Sequence, residues 1–221
     1  MNNLVIAIDG PAGAGKSTIA KLVAARLGYV YVDTGSMYRA IAWKVLEENV
    51  SVDDESAVTD MAKSINIELK NKKDYGQVMV NSIDVTDAIR EPGVTKIVSK
   101  IAGYQGVRDA LLSLQRNMAT AGGVVMDGRD IGSFVLPQAD VKIFLTASIE
   151  ARARRRWLEM KAQGYAMEFK TVMQDMEMRD KADFTRKIAP LVVAENAVLI
   201  DSTDLTIEST VDAILNLCKE K

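Results

Sequence analysis

Five apolar runs punctuate the chain: Leu4–Ile8, "YVYVD" at 29–33, "VVMD" at 124–127, "VKIFL" at 141–145 and "AVLID" at 197–201. They are nearly continuous rather than alternating, the pattern of strands buried on both faces. After the first run, Ile19, Leu22, Val23 and Leu27 recur at helical spacing, and Gly28 follows as a stop. "SMYRAIAWKVLEE" predicts a helix with Ser36 as its N-cap. Further helices are predicted over 107–120, 148–163, 168–182 and 206–219. Strands alternating with helices predict an α/β fold with a parallel sheet covered on both sides. The middle breaks the pattern. "INIELK" (65–70) and "QVMVN" (77–81) flank the polar loop "NKKDYG", and "SIDVTD" follows, so a small antiparallel hairpin is expected there as an insert. Pro92 stands where the next helix would begin, at the favoured N1 position.

Composition narrows this picture. With 221 residues, 48% of them hydrophobic, one domain with a small insert is expected. A net charge of −2 offers no basic field for nucleic acid. The N-terminal stretch lacks a basic region, and its apolar run is too short for a signal peptide. No run approaches the ~20 apolar residues of a membrane span. A soluble cytoplasmic protein with neither membrane nor nucleic-acid partner is therefore expected. The single cysteine, Cys218, shares helical core spacing with Val211, Ile214 and Leu215, which predicts a buried structural thiol. The chain has no histidine, which excludes imidazole bases, His-based triads and His metal sites.

"GPAGAGKS" at 10–17 matches G-x-x-x-x-G-K-[ST] in full, with a strand before it and a helix after it. Gly10, Gly13 and Gly15 allow a tight loop, and Pro11, Ala12, Ala14 and Thr18 complete the stretch expected around ATP. Its N–H groups form an anion nest at a helix N-terminus. Lys16 is placed to reach the β- and γ-phosphates, and Ser17 to offer its hydroxyl to magnesium. "NKKD" at 71–74 imitates a guanine-reading motif, but it sits in a polar hairpin loop rather than after a core strand. A kinase also needs a second anion site. Candidates are Arg39, Arg108, Arg129, Arg179 and Arg186. Arg129 follows a strand end, where open α/β sheets hold ligands. Arg39 lies early in a helix. The residues alone favour these two and leave the others open.

"GPAGAGKST" (10–18), "DTGSMYR" (33–39), "VRDALLSLQR" (107–116), "DGRDIG" (127–132) and "RDKADFTRKIAPL" (179–191) occur in one order and spacing that resembles bacterial cytidylate kinases over nearly the whole chain. The resemblance implies a P-loop NTPase fold like that of adenylate kinase. It would comprise a five-stranded parallel core (1–62 and 93–221), a nucleotide-binding insert (63–92) and a short lid around 157–185. It implies a monomer that transfers the γ-phosphoryl group of ATP to CMP or dCMP with Mg2+. Lys16, Arg129 and Arg186 would serve catalysis. Arg39, Arg129 and Arg186 would grip the acceptor phosphate. Ser99, Arg108 and Asp130 would read the base, and Arg179 and Asp183 would hold the ribose. Thr34, at a position often serine in the family, would keep a substrate contact through its hydroxyl. Asp127 stays open between a magnesium-water partner and a substrate contact. Ala12 replaces a frequent serine, and its N–H is the group expected to matter. Gly128 is expected to let the backbone turn tightly. Arg152, Arg154, Arg155 and Arg156 lie beside the lid, some expected over the ATP phosphates and the rest solvated.

The chemistry of this assignment is consistent. A carboxylate such as Asp130 can accept from the cytosine N4 amino group, and an arginine such as Arg108 can donate to the ring acceptors. A phosphate acceptor is already anionic, so the missing histidines cost nothing. Two rivals remain: a small P-loop kinase with another acceptor (UMP, AMP or a small metabolite), and a non-catalytic nucleotide-binding switch.

Overall fold

The computed structural model describes residues 3–71, 76–162 and 164–221. β1 (Val5–Asp9) runs into the phosphate loop, and α1 (Lys16–Leu27) leaves it. β2 (Val30–Asp33) leads directly into α2 (Thr34–Glu47). The cap of α2 is Asp33 rather than Ser36: its carboxylate accepts the Ser36 N–H at 3.0 Å, so the helix starts three residues early. A carboxylate caps as well as a hydroxyl and adds a negative charge that suits a helix N-terminus, and the Ser36 hydroxyl instead donates to the Asp33 carbonyl.

α3 (Glu55–Ser64) has no counterpart in the sequence reading, because it buries only Val58, Met61 and Ala62. β3 (Ile67–Asn71) and β4 (Gly76–Val80) pair antiparallel, with Ile67 opposite Val80. A third strand, β5 (Ile83–Asp84), adds to β4, so this second sheet is more than a hairpin. Residues 72–75, most of "NKKD" among them, lie outside the described residues. A 3-10 turn at Ala88–Arg90 precedes α4 (Pro92–Ile101), which has Pro92 in its first turn, and α5 (Gln105–Ala119) follows.

The main sheet then resumes with β6 (Val124–Gly128), a π turn at Ile131–Val135 and β7 (Val141–Thr146). α6 (Ile149–Ala162), α7 (Phe169–Thr185), β8 (Val198–Asp201) and α8 (Ile207–Lys219) complete the chain. The five long-range strands are all parallel, in the order β2-β6-β1-β7-β8. α1 and α8 cover one face, with Ile19, Val23, Val211, Ile214 and Cys218 packed on Ile6, Ile8, Ile143 and Leu145. On the other face Ala7, Val32 and Met126 meet Ala119, Ile131 and Val135. This double cover explains why β6 is buried at all five positions. β8 lies at the edge and leaves Val198 and Leu199 exposed. β1 is the switch point: the chain moves to one side of it after α1 and to the other after β6, which opens a crevice at the carboxyl ends of the strands. Among the described residues no helix is long and apolar enough to cross a membrane.

Candidate active site

Parallel register brings three acids to that crevice. Asp9 lies opposite Gly128, and Asp33 opposite Asp127. Asp127 accepts the Ser17 hydroxyl at 2.9 Å and the Tyr31 hydroxyl at 3.0 Å. Burial pushes its carboxyl up, Asp33 adds to the effect, and Lys16 opposes it. Asp9 accepts the Ile131 and Gly132 N–H groups, both at 2.7 Å, and so fixes the loop that carries Arg129 and Asp130. Burial raises the Asp9 carboxyl to about 6 despite those two N–H groups. A folded value above the unfolded one means that ionisation costs stability, most of it lost as pH rises from about 4 to about 6. Asp9→Asn turns an amide NH2 toward a buried N–H and is expected to lose about 1–3 kcal/mol in acid. The gap to the parent should narrow as pH rises to 7, which urea unfolding at both pH values will test.

The phosphate loop is closed on itself. Lys16 is buried and donates from Nζ to the Pro11 carbonyl at 2.8 Å. Burial lowers its pKa, and Arg129 pushes the same way against Asp127. The Ala12 N–H, expected to face phosphate, is instead directed to Asp180 Oδ1 at 3.3 Å.

Across the crevice, Arg129 Nε donates to Asp183 at 2.9 Å. Arg39 reaches the Ile89 carbonyl and Thr95 Oγ1 at 3.2 and 2.9 Å. Burial, with Arg156 and Arg129 in support and Asp33 opposed, lowers Arg39 to about 10. Arg179 Nε is buried without a hydrogen-bond partner among the described residues. Burial, then Arg129 and Arg39, depress Arg179 to about 9. Deeper in, Arg108 is 2% exposed, ion-paired to Asp130, bonded to the Ala102 carbonyl and flanked by the Tyr38 and Phe134 rings at 5.7 and 5.4 Å. Arg186 joins the other Asp130 oxygen at 3.2 Å. Ser99 lies half-buried on α4.

Thr34 gains a structural role in this geometry, and the expectation for Gly128 changes. The Thr34 hydroxyl donates to the Asp127 carbonyl at 2.8 Å, which commits its proton to holding β6 against the start of α2. Gly128 ends β6 and needs no tight turn. A Cβ there would stand 2.7 Å from both Thr34 Oγ1 and Ile131 Cδ1, so crowding is what demands glycine. The arginine run also sorts itself. Arg152 is buried, Arg155 donates to the Ser202 carbonyl at 2.6 Å, Arg156 pairs with Glu159 at 2.8 Å, and Arg154 is exposed. Arg152 and Arg155 anchor backbone rather than project as free lid charges.

Residues 6–220 match the family model described as cytidylate kinase. The chain belongs to the cytidylate kinase family. A cytidylate kinase of Desulfitobacterium hafniense (strain Y51) is 53% identical over 219 residues, covering 99% of this chain and 94% of that one. One from Bacillus subtilis (strain 168) is 47% identical over 218 residues, covering 99% and 97%. Among solved structures, a shikimate kinase from Acinetobacter baumannii shares the fold at TM-score 0.52 and 14% identity, covering 98% of this chain and 94% of that one. A second shikimate kinase, from Bacteroides thetaiotaomicron, aligns at TM-score 0.51 and 16% identity, covering 97% of both chains.

For this cytidylate kinase family chain, sequence reasoning passed over Asp9, Tyr31, Asp33 and Asp180. A signal existed for two of them. Asp9 and Asp33 end apolar strands just as Asp127 does, and strand-end acids point into the ligand crevice. Asp180 carried no such local mark.

Proposed function

We propose that this crevice transfers the γ-phosphoryl group of ATP to CMP or dCMP, giving ADP and CDP or dCDP. The observation that carries the proposal is the surplus of cations facing the phosphate loop. Arg129 lies close enough to lower the proton affinity of both Arg39 and Arg179, Arg39 adds to the effect on Arg179, and Arg179 keeps a buried donor unpartnered among the described residues. Such a cluster relaxes when an anion enters it. In this proposal Arg39, Arg129 and Arg186 take the acceptor phosphate, Arg179 and Asp183 the ribose, and Ser99, Arg108 and Asp130 the cytosine.

The Ser17 hydroxyl and the Asp127 carboxylate, 2.9 Å apart, form the oxygen pair that P-loop proteins present to Mg2+. When bound, the ion would neutralise charge on the phosphate oxygens. The chain's own residues do the rest. Lys16 swings from the Pro11 carbonyl to the phosphates, and Arg129 spans donor and acceptor oxygens in line. No base is needed, since the attacking oxygen carries its own charge. In the same proposal residues 63–92 act as the acceptor-nucleotide insert and 157–185 as a lid that excludes water, and the enzyme works as a cytoplasmic monomer.

The test is ADP release, coupled to a reporter enzyme, across CMP, dCMP, UMP, AMP and GMP. Turnover is expected to be highest with CMP and dCMP. Preference for AMP or UMP would reassign the acceptor, and silence with all five would leave a nucleotide-binding switch.

A further inference from the structure

The basic run on α6 and the helix α7 meet at the tip of the phosphate loop. Arg152 and Asp180, both buried, form an ion pair of 2.6 Å. Between them they hold both polar groups of one loop residue. Asp180 Oδ1 accepts the Ala12 N–H at 3.3 Å, while Arg152 donates to the Ala12 carbonyl at 3.0 Å. Arg152 Nε also donates to the Ala147 carbonyl at 2.9 Å, which ties the guanidinium to the end of β7. Apolar packing agrees with the polar contacts. Ala12 is buried among Ala153, Met160, Val172 and Met176 of α6 and α7. At Gly13, where φ is +72°, a Cβ would stand 3.1 Å from the Arg152 carbonyl and 3.2 Å from the Arg152 Cβ, so glycine suits the close approach of the loop tip to α6.

The same helix reaches the other side of the crevice. Asp183, one turn beyond Asp180, binds Arg129, and Arg179 belongs to the cationic cluster. α7 therefore carries a contact to the donor loop, an ion pair to the acceptor side and a member of the cationic cluster within five residues.

We infer that Arg152 and Asp180 are positioning residues that lock Ala12 and Gly13 to α7, so that seating the acceptor and shaping the phosphate loop are energetically coupled. This rests on the phosphoryl-transfer reading above and adds the coupling to it. Charge-assisted bonds on one buried peptide hold that peptide firmly. A helix bound at both ends of the reaction centre transmits a shift at either end, and the coupling is reciprocal.

Calorimetry on the full chain tests it, with a non-hydrolysable ATP analogue titrated in the absence and presence of saturating CMP. In the parent, CMP is expected to tighten the analogue by about fivefold or more. Asp180→Asn keeps the shape but loses the charge. It is expected to bind the analogue about tenfold more weakly, to bind CMP alone as the parent does, and to show no tightening by CMP. Arg152→Lys keeps a cation beside Asp180 yet cannot span the Ala147 and Ala12 carbonyls, and should fall between the two. If Asp180→Asn does not fold, the Lys variant decides on the same readouts. Weakening of the analogue and of CMP to the same extent would mark a merely structural pair and overturn the inference. Coupling kept in full by the variants would overturn it too. A parent that turns over CMP without coupling defeats the inference alone, whereas a parent that releases no ADP with any nucleotide defeats the reading beneath it.

Discussion

Arg129→Ala is expected to lower kcat for CMP phosphorylation by about a thousandfold while leaving ATP affinity within a few-fold of the parent. The reason is its place. Arg129 follows the end of β6, beside the switch point, on a loop that Asp9 fixes through two N–H groups. It lowers the proton affinity of Lys16 and of Arg179 alike, so its charge lies between the donor loop and the acceptor cluster. A cation there gains most when charge spreads over the moving phosphoryl group, and less in the ground state. In the proposed function Lys16 and the loop N–H groups would still hold ATP without it. The substitution also strips Asp183 of a partner. Burial pushes the Asp183 carboxyl up, but Arg129 and then Arg179 outweigh this and hold it below its ordinary value. A depressed carboxylate contributes stability that is present above its unfolded value near 4 and lost as pH falls through the folded one. The Ala variant should therefore be less stable at neutral pH by about 1–3 kcal/mol and less sensitive to acid. Steady-state kinetics with both substrates varied, together with urea unfolding at pH 3 and 7, separates the two effects. An unchanged kcat would remove Arg129 from the reaction.

Asp130 calls for two substitutions, because the structure gives it two partners. Arg108 and Arg186 each bind one of its oxygens, and Arg108 is almost wholly buried. Asp130→Ala leaves two buried guanidiniums unpaired and is expected to cost about 3–5 kcal/mol, read as a large drop in Tm. It cannot report on base selection. Asp130→Asn keeps the shape and one acceptor oxygen while placing an amide donor where cytosine N4 would donate. Uracil, with an oxygen at position 4, accepts from that amide. The ratio of kcat/KM for CMP over UMP is expected to fall by about tenfold or more, since one base-edge contact is worth about 1–3 kcal/mol. A ratio equal to the parent's would show that cytosine is chosen elsewhere.

What the sequence made legible was local. The phosphate loop lies between a strand and a helix that sit next to it in the chain, so motif and context could be read together. The five parallel strands were equally plain, because burial on both faces writes an unbroken apolar run. Residues whose meaning depends on distant partners were opaque. Arg108 reads as one more surface arginine until α5 is packed against β6 and two rings close over it. Arg152 is indistinguishable from Arg154 in "ARARRRW", yet one is buried against Ala12 and the other faces solvent. Ser36 was a sound cap by residue type, but strand pairing fixes Asp33 first and hands it the helix. Gly128 looked like a turn and proved to be a gap filled by Thr34 and Ile131.

The order of strands bears on how the molecule is made. β1 is written first, but both of its hydrogen-bonded neighbours lie beyond residue 120, and β2 waits for β6 as well. During synthesis the N-terminal strands emerge with no sheet to join, their apolar edges open. The insert with its own antiparallel sheet, built from β3 to β5 and local in sequence, can form earlier. The phosphate loop is thus encoded near the start of the chain, while both strands that flank β1 in the sheet are made only beyond residue 120. ATP can help only a chain that has already closed, and partly made chains are the ones most in need of protection from aggregation.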